Sequence, residues 1–278
     1  MKKIGFVDYY LDEFHANNYP EWIEKLSEGK LKVAYAWGKK DAPNGLTTQQ
    51  WCEKYKIQQI ETIEELVQKS DCIIVLSPDN PEMHEELCRI PLSSGKRVYV
   101  DKTFAEDRSA ALRIFAVAEE HRTPCFSSSA LRFAAEYKDI GKNDIQNIAS
   151  WGPGPFQNYS IHQIEPIVAL MGTDAKRVMY VGTENWPALV IEFTGGRRAI
   201  LSHHGWECPF SMTVNLKDGT SQTITVHSDY FHLFVEQMVD FFLTGDVKVS
   251  HAETVAVISI REAGLKAAKK PETWVEIV

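Results

Sequence analysis

The chain has 278 residues, 44% of them hydrophobic and 24% charged, enough for one large core or two moderate ones of ~100–200 residues each, and a composition that excludes a disordered chain. The formal net charge of -8 argues against a nucleic-acid binder, whose basic face would release counterions from a phosphate backbone. No stretch reaches the ~18 uninterrupted apolar residues of a membrane span, and the opening "MKKIGFVDYY" runs straight into a strand without a signal-peptide core, so a cytoplasmic protein is expected.

In chain order, "KIGFV" is a short apolar strand, and from about Tyr19 the pattern turns helical, with Trp22, Ile23 and Leu26 on one face. Between such a strand and helix, a dinucleotide-binding fold places a G-x-G-x-x-G turn so that bare backbone can approach a pyrophosphate; Asp8, Tyr9, Tyr10, Leu11 and Asp12 stand there instead. "KVAYAW", "CIIVLS", "RVYVD" and "TPCFSSSA" are further apolar runs, several of them continuous, separated by helical stretches such as "TIEELVQKS" and "SAALRIFAVAEEH". Strands alternating with helices predict βαβ units and a parallel sheet. The rhythm then changes. "RVMYVG", "ALVIEFTGGRRAILSHHGW" and "SMTVNLKDGTSQTITV" contain strand runs joined through Gly195-Gly196 and Asp218-Gly219, dipeptides that favour tight turns, so an antiparallel sheet is expected. Two helices close the chain, one with Phe231, Phe234, Val235, Met238, Val239 and Phe242 on an apolar face, the other opened by the capping box of Ser250 and Glu253. The expected fold is α/β, a Rossmann-like parallel-sheet domain over 1–125 followed by an α+β domain with a largely antiparallel open sheet over 126–278. Five scattered cysteines without a C-x-x-C pair read as reduced thiols, and no metal is expected, since His203 and His204, adjacent in a strand, must point to opposite faces.

Four segments sharpen this plan. The strand ending "DKT" resembles the E-K-P signature of the Gfo/Idh/MocA oxidoreductases, the relatives of glucose-fructose oxidoreductase and inositol dehydrogenase, with Asp101 for the acid and Thr103 for the proline. "SSSALRFA" resembles that family's strand ending in an R-F pair. "NYSIHQIEPIVALMG" is similar to its D-x-x-x-H segment, with Asn158 at the aspartate and His162 at the histidine. "DCIIVLSPDNPEMHEEL" is similar to its strand-T-P-N-x-x-H turn, with His84 two residues late.

The resemblance implies an NAD- or NADP-dependent oxidoreductase acting on a sugar, polyol or related hydroxy compound, assembled as a homodimer or homotetramer through the second sheet. Oxidising an alcohol by hydride transfer requires a base for the hydroxyl proton, and His162, with an unperturbed pKa near ~6.5, suits that task. Lys102 would donate to the substrate oxygen or share the base role, and Asn158 would assist binding, since an amide cannot take a proton at neutral pH. Ser77, Pro78 and Asp101 would contact the nicotinamide, Arg132 and Tyr159 the substrate. Val7, Asp8, Tyr9, Tyr10, Trp37 and Lys39 would line the nucleotide, with Lys39 or Lys40 pairing with a phosphate and an aromatic ring stacking on adenine. The missing glycines and the lack of an acid after "KVAYAW" keep another expectation open, a non-redox sugar-binding or structural and regulatory member that has lost the dinucleotide.

Overall fold

A computed structural model describes residues 1–142 and 144–278. The chain divides into two compact units, residues 1–128 with 234–251, and residues 129–233 with 252–278.

The first unit is built on six parallel strands in the order β3-β2-β1-β4-β5-β6. They are β1 (Lys2–Asp8), β2 (Leu31–Gly38), β3 (Gln58–Gln59), β4 (Cys72–Val75), β5 (Arg97–Val100) and β6 (Cys125–Phe126). The helices α1 (Phe14–Leu26), α2 (Thr48–Tyr55), α3 (Ile63–Lys69), α4 (His84–Leu92) and α5 (Arg108–Glu120) connect them. Residues of β4, Cys72 to Val75, are all buried, as expected of a strand covered on both faces. Gly5 in β1 lets α3 approach: a Cβ there would stand 2.4 Å from both Leu66 Cδ2 and Ser70 Oγ.

The order 3-2-1-4-5-6 reverses direction between β1 and β4, and ligands of open α/β sheets collect outside the carboxyl ends of strands at such a switch. The residues that follow β1, β4 and β5 therefore matter most. Helix α7 (Tyr230–Thr244) comes after the second sheet in sequence, and the boundary at 126 expected from sequence assigned it to the second domain. From Phe234 onward it lies in the first unit instead, because Phe234 packs against Tyr19 and Tyr99, and Phe241 against Phe126. Its last turn is fixed by Lys2 Nζ and Arg97 Nη1, which both donate to the Phe242 carbonyl, at 3.0 and 2.7 Å.

The second unit carries a seven-stranded sheet, β12-β11-β7-β10-β9-β8-β13, antiparallel except between β7 and β10. The strands are β7 (Ile145–Pro153), β8 (Ala175–Gly182), β9 (Pro187–Phe193), β10 (Arg198–His204), β11 (Ser211–Leu216), β12 (Ser221–Thr225) and β13 (Trp274–Glu276). Helices α6 (Phe156–Met171) and α8 (His251–Ala267) complete it, all but the first residue of α8 belonging here. Both glycines of the β9–β10 turn have positive φ, 76° and 77°. In the β11–β12 turn only Gly219 does, at 87°, and it donates to the Leu216 carbonyl at 3.1 Å, the geometry of a type I turn followed by a left-handed residue. Among the described residues no helix is long and apolar enough to cross a membrane.

Candidate active site

In the first unit, strand ends gather a cluster of ionisable groups. Asp101, directly after β5, is fully buried and its carboxylate is spoken for: Oδ2 lies 2.5 Å from His15 Nδ1, while Oδ1 accepts from Tyr99 Oη at 3.1 Å and from the Lys102 amide at 2.9 Å. Burial alone would raise this carboxyl, but His15, then Lys102, outweigh it and hold Asp101 below the usual range. The same pair works on His15, where desolvation disfavours the imidazolium and Asp101 more than restores it. Asp101, expected at the nicotinamide, is thus an internal anion that orients its neighbours.

Lys102 points elsewhere. Its Nζ donates to the Pro78 carbonyl at 3.1 Å and lies 3.9 Å from Asp79 Oδ1, which joins the segment after β5 to the segment after β4. The Lys102–Thr103 peptide is cis. Ser77, buried at the start of the latter segment, has φ of 117° and donates to the Asn80 carbonyl at 3.0 Å. His84 opens α4 with Nδ1 facing the carbonyls of Thr103 and Phe104 at 2.9 and 3.1 Å, so Nδ1 carries the proton and Nε2 is a buried lone pair without a partner. Burial pushes its pKa down, which favours that neutral form.

The turn after β1 departs most from a glycine-rich loop. Asp8 is 1% exposed, and among the described residues its carboxyl oxygens have no side-chain partner, only the adjacent Tyr9 and Tyr10 amides; burial, with Glu13 adding like charge, outweighs those amides and pushes its pKa well up. Asp12 accepts from the Leu46 amide at 2.8 Å and Asn17 Nδ2 at 3.0 Å, pinning the turn to the loop that follows β2. Glu13 is the N-cap of α1: Oε2 accepts from the His15 amide at 2.7 Å and Oε1 from the Ala16 amide. Burial pushes its carboxyl up to about 7, with His15 opposing and Asp101 reinforcing.

Nucleotide-side residues divide likewise. Val7 is fully buried and its carbonyl accepts from the Leu76 amide, so its side chain offers no ligand contact. Trp37 is half-buried and donates from Nε1 to the Glu61 carbonyl at 3.3 Å. Lys39, expected to meet a phosphate, pairs with Glu86 at 2.5 Å. Lys40 is the cation over the aromatics, with Nζ 4.0 Å from the centre of the Tyr9 ring and 5.9 Å from that of Tyr10.

In the second unit, α6 presents His162, whose Nδ1 is 2.7 Å from Ser129 Oγ. A hydroxyl both donates and accepts, so Ser129 holds the ring in either protonation state. Tyr159 meets His162 edge-on at 5.1 Å and Trp206 at 4.9 Å. Gly154 makes room for that ring, since a Cβ there would stand 2.6 Å from Tyr159 Cγ. Asn158, one turn before His162, is exposed, and its side-chain carboxamide makes no hydrogen bond among the described residues. Arg132, expected to orient substrate, is instead an internal counter-ion. It sits 9% exposed, with Nη1 3.3 Å from Glu165 Oε2 and Nη2 on Glu253 Oε1, because Glu165 is buried and requires a cation. His203 and His204 do alternate, buried and exposed. His203 donates from Nδ1 to the Gly154 carbonyl at 2.9 Å. Among the described residues no group of three metal-ligating side chains converges.

Parallel strands in this order, with polar residues at their carboxyl ends and a mostly antiparallel sheet in a second unit, define a Rossmann-like α/β fold. Residues 14–128, less than half of the chain, match the family GFO_IDH_MocA, described as an oxidoreductase family with an NAD-binding Rossmann fold. Solved structures extend the likeness of fold to the whole chain. A probable dehydrogenase from Thermotoga maritima superposes with a TM-score of 0.80 at 13% identity, covering 99% of this chain and 98% of the other. Scyllo-inositol dehydrogenase from Lactobacillus casei, with bound NAD(H) and scyllo-inositol, gives 0.78 at 17%, covering 99% of each chain. Myo-inositol 2-dehydrogenase from Lactobacillus plantarum gives 0.76 at 14%, covering 100% and 99%. No curated protein sequence matches the chain.

Sequence reasoning missed Glu13, His15 and Ser129. Glutamate is not among the favoured N-cap residues, and the His15–Asp101 and Ser129–His162 pairs join positions far apart in the chain.

Proposed function

We propose that the protein is an NAD(P)-dependent cytoplasmic oxidoreductase that interconverts an alcohol and a carbonyl on a sugar, polyol or related hydroxy compound. The observation that carries this reading is Lys102: within the segment that matches the family, its ammonium reaches from the end of β5 to the Pro78 carbonyl after β4, the strand that borders the switch point. A nicotinamide bound there supplies or accepts the hydride. Ser77, Pro78 and Lys102 suit its carboxamide end, whereas the start of α1 suits a pyrophosphate only when Glu13 is turned away. Lys102 donates to the substrate oxygen and stabilises charge as the hydroxyl ionises. His162 takes the hydroxyl proton, and Ser129 keeps its ring in register. Tyr159 and Trp206 offer apolar ring faces of the kind that pack against the C–H face of a cyclic polyol, in keeping with the inositol bound in the Lactobacillus casei structure.

Calorimetric titration with NAD, NADH, NADP and NADPH, followed by a polyol activity screen, tests the reading. Lys102→Ala and His162→Ala are each expected to lower turnover ~10²-fold or more with the fold intact, the size of an acid-base contribution. Wild-type turnover in either variant removes that residue from the mechanism. Glu13 on the α1 amides and the exposed Asn158, an amide where the family has an acid, favour a second reading, a non-redox sugar binder, which absence of any dinucleotide binding at millimolar concentration would select. Copies of the chain pair through the open face of the second sheet, where Ile200, 39% exposed, lies between Val190 and Ala149 on neighbouring strands; sedimentation of Ile200→Glu as a monomer would support it, and an unchanged assembly would remove it.

A further inference from the structure

A Rossmann unit binds a dinucleotide's pyrophosphate on the first amides of the helix that follows β1, because those N–H groups have no partner inside the helix and the helix dipole favours an anion. In this chain the His15 and Ala16 amides already have an acceptor, the carboxyl of Glu13, which is an anion above about pH 7. The Glu13 backbone is extended, at φ -141° and ψ 170°, so its longer side chain folds back over the helix start as an aspartate cap would. A pyrophosphate arriving with Glu13 in place would find these two donors taken and a like charge beside it.

A second observation points to an anion at the same turn. Asp8, at the end of β1, is buried, and among the described residues its carboxyl oxygens have no side-chain partner, only the Tyr9 and Tyr10 amides of its own turn beside them. Such a group is costly to leave unsatisfied. Burial and Glu13 push its pKa well up, which favours the protonated carboxyl, a form that can donate to an acceptor. Lys40, whose ammonium has no ion-pair partner among the described residues, lies over the Tyr9 ring of this turn. Among the described residues the turn therefore holds a buried carboxyl and a cation with no partner anion, while the helix donors are satisfied from within.

We propose that Glu13 is a built-in competitor of the dinucleotide: its carboxylate holds the α1 amides in the free protein, and the cofactor binds by displacing it. The inference rests on the proposed dinucleotide-dependent function. Affinity is then set by the cost of moving one side chain, and the glycine-rich turn is replaced by a carboxylate that must leave.

The test is calorimetric titration of NAD, NADP, ADP and adenosine into the wild-type protein, Glu13→Gln and Glu13→Ala, with circular dichroism to establish that each is folded. Glu13→Gln keeps the shape of the cap and loses its charge, so it serves if the alanine variant does not fold. The expected result is about tenfold tighter binding of NAD or NADP and of ADP to Glu13→Ala, a smaller gain for Glu13→Gln, and no change for adenosine, which has no pyrophosphate; tenfold corresponds to the ordinary worth of an N-cap. Equal dinucleotide affinity in all three proteins overturns the inference and leaves the oxidoreductase reading standing. An equal gain for adenosine also overturns it, since the effect would not be on the phosphates. Absence of dinucleotide binding by all three overturns the dinucleotide reading itself.

Discussion

Arg132→Ala separates a structural cation from a substrate-orienting one. The arginine side chain is 9% exposed and that of Glu165 4%, while the second carboxylate, Glu253, is 25% exposed. Removing the guanidinium leaves Glu165 buried without its counter-charge. Breaking such a pair from one side costs about 3–5 kcal/mol, and the more accessible Glu253 adds ~1 kcal/mol or less. At ~2–4 °C per kcal/mol for a chain of this general size, the melting temperature should fall by on the order of 10 °C. The loss carries a pH signature. Burial already raises Glu165 above its unfolded value against the pull of Arg132, and without the arginine it rises further. A carboxyl raised by folding destabilises above its unfolded pKa and ceases to do so below it, so the deficit of Arg132→Ala should be full near pH 7–8 and shrink as the pH falls toward ~4.5. Replacing both partners, as Arg132→Met with Glu165→Met, should recover most of the loss. Melting followed by circular dichroism from pH 5 to 8 reads all three effects. A variant that melts within ~2 °C of wild type but binds its polyol weakly would refute the argument and return Arg132 to the substrate site.

Two further substitutions probe the second unit. Gly154→Ala places a side chain at φ 81° and drives a Cβ into the Tyr159 ring, so a loss of about 1–3 kcal/mol in urea denaturation is expected, together with reduced turnover because Tyr159 abuts His162; wild-type stability would mean that the ring yields freely. Glu136 accepts from the amides of His227 and Ser228, both at 2.8 Å, and from Ser228 Oγ at 2.6 Å. Burial would raise its carboxyl, but the Ser228 hydroxyl and these amides prevail and bring it down to about 2. Its stabilisation is present above the unfolded pKa and lost as the pH falls from ~4.5 to about 2. After allowance for solvent screening of a half-exposed group, Glu136→Gln should cost ~1–2 kcal/mol at pH 7 and nothing near pH 2; a gap that persists at pH 2 would exclude the carboxylate as its cause.

The first sheet was legible except for β3, two exposed glutamines, because its other strands are short apolar runs: "CIIV" can hardly be anything but a doubly covered strand. Strand β7 was not among the expected strands, since its inward positions after Ile145 and Ile148 are Ser150 and Gly152, which break the apolar alternation that signals a half-buried strand. Ser150 is tolerated there because its hydroxyl bonds Gln163 of α6 at 2.8 Å, a partner that only the folded chain supplies. The candidate site shows the same limit. Lys102 and His162 stand out through local motifs, whereas the roles of Asp101 and Arg132 depend on His15, Glu165 and Glu253, to which no local pattern connects them. Missing glycines are visible in the sequence; that a glutamate fills the vacated donors is visible only once the φ of residue 13 is known.

The return of residues 234–251 to the first unit has a consequence for synthesis. On the ribosome the six parallel strands emerge by residue 126, yet the aromatic rings of Tyr19, Tyr99 and Phe126 must wait for Phe234 and Phe241, more than a hundred residues later. At ~5–20 residues per second, that interval lasts on the order of ten seconds, during which an incomplete half carries uncovered aromatic surface. The nascent chain therefore passes through a stage in which its earliest-made half is a client for chaperones, and slowing translation after residue 126 should lengthen that stage and lower the yield of folded protein.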